Sequence, residues 1–113
     1  MSESFSAATD VGEFITDLDG GVFERKLSIA LSAVAAAVCD NGRQGKVTVE
    51  FAFANIPGTS QVHCAHTLKF SRPTMDGEAT EKEKRSTPMH VGKFGKLSLA
   101  PENQLTMFSK DPA

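Results

Sequence analysis

Cys64 and His66 stand two residues apart in a stretch whose side chains alternate, so they share one face while His63 turns to the other. Cys39 and His90 can approach them only through the fold. Zinc is held by closely spaced Cys and His ligands, and this chain has neither a C-x2-C pair nor an H-E-x-x-H run. A nucleophilic thiol needs a base within hydrogen-bond reach. His66 lies roughly 7 Å along the strand from Cys64, too far for direct proton transfer. There is no G-x-S-x-G elbow either. The residues therefore point to a packed thiol and a packed imidazole, with no catalytic residue, metal or cofactor expected. A small metal-dependent or cysteine-dependent enzyme is kept as a third reading.

The other chemical groups lead to the same place. Asp10, Glu13 and Asp17 fall on one side of a short helix, and Asp17 and Asp19 flank its end. Acids on an exposed helical face are ordinarily solvated, and Asp10 with Glu13 also suits a capping box. Gly20-Gly21 precedes a helix, but three acidic side chains in DLDGGVFE oppose an anion there, and GxxxxGK[ST] is missing. The basic groups are more suggestive. Arg72, Lys82, Lys84, Arg85, Lys93 and Lys96, with Phe94 in the GKFG turn, are candidate partner-binding residues if the fold gathers them at one sheet edge with Lys69. Glu78, Glu81 and Glu83 are interspersed among them and dilute that field.

Composition narrows the class. The chain has 113 residues, 40% hydrophobic and 23% charged, which suits a single globular domain. Its formal charge of −2 does not mark the whole molecule as a nucleic-acid binder. The charge is uneven: residues 1–40 hold two basic and seven acidic side chains, and 41–100 hold nine basic and five acidic. No stretch approaches the roughly 20 apolar residues of a membrane span. The N-terminus lacks a basic and then apolar signal peptide, so a cytoplasmic location is expected. Eight Phe with no Trp or Tyr favour packed cores and apolar contacts between chains.

The elements that must position these groups follow from periodicity. Val11, Phe14, Ile15 and Leu18 make one apolar face of a short helix that Thr9 or Asp10 can cap. Asp19-Gly20-Gly21 breaks it. From Val22 to about Asp40 a longer stripe follows: Phe23, Leu27, Ala30, Leu31, Val34 and Val38. The alanines at 33 and 35–37 slim its second half, and this apolar surface on more than one side predicts a homodimer. The period then falls to two. Val47, Val49, Phe51 and Phe53 form one face of a strand over 46–54, and Val62, Cys64, His66, Leu68 and Phe70 one face of a second over 61–71. Residues 72–86 read as a charged loop or a hairpin extension. Met89 and Val91, then Lys96 to Ala100, supply further short strands, and Pro101 closes the last.

The expected fold is α+β, with N-terminal helices packed on one face of a three- to four-stranded antiparallel sheet. The single domain spans 9–108, between flexible ends at 1–8 and 109–113, and Leu105 and Phe108 pin part of its tail. Its radius of gyration would be roughly 13 Å if compact.

The run from Gly20-Gly21-Val22-Phe23 through the alanine-rich helix and GKVTVEF to STPMHVGKFGKLSL and PENQ resembles small uncharacterised proteins of temperate bacteriophages and prophages, over roughly residues 12–108. That resemblance implies an accessory protein in a bacterial host cytoplasm and carries over no functional residue. The expected function is non-enzymatic binding of another macromolecule, a host or phage protein first and nucleic acid of phage DNA metabolism as the alternative.

Overall fold

The computed structural model describes residues 7–100. Helix α1 (Val11–Asp17) begins at Asp10, whose carboxylate accepts the Glu13 N–H at 3.0 Å, the expected cap. The chain then reverses through Asp19, Gly20 and Gly21, all left-handed at φ 51°, 63° and 90°. Glycine takes this region freely, and Asp is among the few side chains that tolerate it. Helix α2 (Val22–Asn41) follows at once, about 30 Å long.

Four antiparallel strands complete the fold in the order β1-β2-β3-β4, confirming the α+β reading: β1 (Lys46–Asn55), β2 (Gln61–Thr74), β3 (Gly77–Val91) and β4 (Leu97–Ser98). The helices lie on one sheet face. Phe23, Ala30 and Val34 of α2 are buried with Phe14, Leu18, Cys64, Leu68 and Met89, while Val47, Val49, Phe51, Val62 and Phe70 are half-buried beneath them. Phe14 meets Phe51 edge to face, with ring centroids 5.2 Å apart. The apolar stripe is narrower than its sequence suggests. Leu31 is exposed, and so is Phe53, on the outermost strand one step beyond Phe51.

Gly45 lets the loop after α2 press against the helix. A Cβ there would sit 2.6 Å from the Val34 side chain and 3.0 Å from the Ser71 carbonyl. The register also explains why β4 is short. The Val91 N–H bonds Ser60 across to β2, and the Gly92 N–H bonds Lys96 on the other side. Even-numbered residues of β3 therefore direct their backbone away from β2. Pro88 is one of them and has no N–H to offer β4, so the β3–β4 pairing stops at His90 and Ser98.

Two expectations are corrected. Of the two readings of 72–86 the hairpin extension holds and the charged loop does not: the segment is the end of β2, a two-residue turn at Met75-Asp76 and most of β3, paired from Thr74–Gly77 onward. The molecule is also longer than foreseen, because β2 and β3 run for 14 and 15 residues. Its radius of gyration is 18.4 Å and its longest dimension 66 Å. The pinned positions Leu105 and Phe108, the strand stop at Pro101 and the flexible end at 109–113 lie outside the described residues, as do residues 1–6 of the N-terminal segment.

Candidate functional site

The sheet register brings together one buried polar group that spacing alone did not reveal. His66 pairs with Arg85 and Cys64 with Thr87, so Thr87 lies diagonally from His66 on the helix face. Its Oγ1 is 3.0 Å from His66 Nε2 and accepts the Asp19 N–H at 2.9 Å. A threonine hydroxyl has one proton, so with a lone pair given to Asp19 it is free to donate to Nε2. The hydroxyl keeps a second lone pair, so either tautomer of the neutral imidazole completes the contact, Nε2 accepting from Thr87 or donating to it. Burial pushes the His66 pKa down; the carboxylates of Asp19 and Glu83 pull it up and the Arg85 cation pushes it further down. Phe23 covers the ring edge to face at 5.1 Å. Burial raises the pKa of the neighbouring Cys64 thiol, which keeps it protonated and unreactive.

Charges close over this group. Arg85 Nε lies 3.5 Å from Asp19 and its Nη1 3.6 Å from Glu83, while Lys26 Nζ reaches both Glu83 oxygens at 2.5 Å. The Lys26 hydrogen bond holds the Glu83 carboxyl below its usual range. A hydroxyl against an imidazole is a nucleophile and base in outline. Here His66 is 1% exposed and Thr87 6%, and the adjoining cavity, bounded by Asp19, Phe23, Lys26 and Arg85, holds only about 10 Å³. That is room for about one water and for no substrate. The group instead ties the left-handed turn to the sheet. Among the described residues no three His, Cys, Asp or Glu side chains gather around a metal-sized site.

The open surface lies beside it. Helix α2 covers β1 and β2 but not the helix-facing side of β3, which leaves a groove between α2 and β3. One part, of about 300 Å³, is lined by Lys26, Ile29, Leu68, Phe70 and the β3 stretch Glu81–Glu83, Lys82 included. Further along, Ala33, Ala36, Ala37 and Asp40 face Phe70 and Arg72 across a wider depression. Ile29 is 59% exposed there.

The seven candidate partner residues do not converge. Arg72 and Arg85 lie on the helix-facing side, Arg72 in the groove and Arg85 over His66. Lys82 and Lys84 project from the opposite face, beside Lys69. Lys93, Phe94 and Lys96 sit in the turn between β3 and β4, roughly 30 Å along the strand from Lys82. Phe94 is 82% exposed and left-handed at φ 60°, an uncommon conformation for a bulky residue. Cys39 is exposed and far from His66 in the chain.

The comparisons with known proteins give a family. The sequence profile of the YfdP family matches residues 10–97. The chain belongs to that family. It is 37% identical over 97 residues to the uncharacterised protein YfdP of Escherichia coli, an alignment covering 86% of this chain and 80% of that one. The match takes in α1, the left-handed turn, α2 and every strand up to Leu97 of β4. No solved structure matches. No helix of the described residues is long and apolar enough to cross a membrane.

Proposed function

We propose that this chain works by protein–protein contact and not by catalysis, and that the first protein it binds is a second copy of itself. The observation that carries this is the groove-side stripe of α2: Lys26, Ile29, Ala33, Ala37 and Asp40. Its spacing of three, four, four and three residues reads the same from either end about Ala33. An antiparallel second α2 would set Ala33 against Ala33 on a two-fold axis, each Ile29 against an Ala37, and each Lys26 against an Asp40. Large meets small, and cation meets anion, at both ends. That is the self-complementarity an isologous interface requires. Small central side chains let helix axes approach to about 8 Å.

The resemblance carried by GKVTVEF and STPMHVGKFGKLSL supports placing this pair as an accessory protein of a temperate phage or prophage. In that setting it engages a host or phage protein in the bacterial cytoplasm.

Light scattering tests the interface directly. The full chain should weigh twice its 12.1 kDa. Ala33→Arg, at a half-exposed position, should return it to the single-chain mass with its circular dichroism melt unchanged. Asp40→Lys should weaken association most at low salt. A single-chain mass for the natural sequence, or an undisturbed pair in Ala33→Arg, overturns the proposal.

A further inference from the structure

We infer that the sheet face turned away from α2 binds the phosphate backbone of nucleic acid. This surface is separate from the groove. Side chains on it alternate with the buried ones, and the register stacks them in three successive rungs: Lys46–Ser71–Thr80, then Thr48–Lys69–Lys82, then Glu50–Thr67–Lys84. The four lysines fall on a diagonal that crosses β1, β2 and β3. With about 6.8 Å between rungs and about 4.8 Å between strands, it runs roughly 17 Å from Lys46 to Lys84. All four are exposed.

Lys69 and Lys82 make this more than a solvated face. They stand directly opposite one another. Lys82 is even-numbered, so its backbone points away from β2, and the two lysines form a non-hydrogen-bonded pair, where Cα atoms approach to about 4.5 Å. Like charges placed so are destabilising. Lys84 adds a third cation on the same face, and Lys46 a fourth across Ser71. Hydroxyls fill the gaps: Ser71 Oγ and Thr80 Oγ1 lie 3.0 Å apart, with Thr48 and Thr67 on the same face. A polar hollow of about 490 Å³, lined by Gln44, Lys46, Thr48, Lys69 and Ser71, opens beside them, with Glu78 as its one acid. A row of phosphates is the occupant whose charge and linear form match a diagonal of lysines and hydroxyls. Ala52, Ala54, Ala65 and Pro88 are apolar groups on this face and no aromatic ring stands among these rungs. Contact is therefore with the backbone, without stacking on bases, and is insensitive to sequence.

The test is fluorescence anisotropy of the full chain with a short labelled DNA duplex and, separately, its labelled single strand. Four phosphate contacts on the duplex predict a slope of log K against log salt of about −3.6, or roughly a hundred-fold weaker binding between about 50 and 200 mM salt. Lys69→Glu should lower affinity about ten-fold while leaving the thermal midpoint equal or higher, because it replaces a repulsive pair with an attractive one. Lys93→Glu, in the distant turn, should leave affinity within two-fold, a level set by one remote charge under screening at about 10 Å. Loss of binding in Lys69→Glu without loss of fold supports the inference. It is overturned by no binding of either strand form, by affinity untouched in Lys69→Glu, or by capture of phosphatidylserine vesicles in place of DNA. Light scattering of Ala33→Arg reads the groove alone, so the two surfaces can fail separately.

Discussion

Thr87 holds two partners with one hydroxyl, the Asp19 N–H and His66 Nε2. Thr87→Val keeps the shape and removes both, and should cost about 1–3 kcal/mol in a urea titration, whereas Thr87→Ser should stay close to the natural chain. His66 supplies a pH signature. Its pKa is lowered in the folded state, burial being the leading cause. Near the ordinary imidazole value of 6.5, the unfolded chain therefore takes up the proton first. Stability is complete above that value and declines as pH falls through it toward the lower folded one. Glu83 has the same sign, but its window opens only below its ordinary 4.5. Melting temperatures followed from pH 8 to pH 5.5 should thus fall in the natural chain and stay nearly flat in His66→Gln. At Gly45 the neighbours are Val34, Val38 and the Ser71 backbone. Gly45→Ala should lose about 1–3 kcal/mol by overpacking.

Elements were legible where burial leaves a period. The helix from Val22 and the strands over 46–54 and 61–71 stand where their apolar alternation places them. Most of β3 was not, for a physical reason: its helix-facing positions Glu81, Glu83 and Arg85 lie beyond the cover of α2, so charge occupies both of its faces. The turn did not decide it, because its two residues are Met75 and Asp76, neither left-handed, and not the Asn-Gly or Asp-Gly pair that marks a tight hairpin. The His66–Thr87–Asp19 link was hidden for a related reason, because it depends on a strand partner that periodicity did not supply. The lysine diagonal likewise needs the register, which unites Lys46 with residues 23 and more positions away. Pro88 carries an element-scale prediction. Pro88→Val restores an N–H on the open side of β3, so hydrogen exchange should show new protection beyond His90, or the chain should associate through that edge. Unchanged exchange and unchanged association together would contradict the assigned role of Pro88.

At the scale of the molecule, the segment 72–86 changes meaning. As a loop it would be dispensable. As strand it flanks β2 along the length of the sheet and provides Glu83 for Lys26 and Arg85 for Asp19. Deleting residues 75–85 should therefore abolish the cooperative melt seen by circular dichroism. Retention of a cooperative transition would mean that β1, β2 and the helices suffice as a folding unit. The long β2–β3 hairpin also governs how the protein travels through a matrix. A radius of gyration of 18.4 Å is what a compact chain of about 270 residues would have. On a gel-filtration column calibrated with spherical standards, a lone copy would elute ahead of its mass, so a shape-independent weighing is the measure that tells one copy from two.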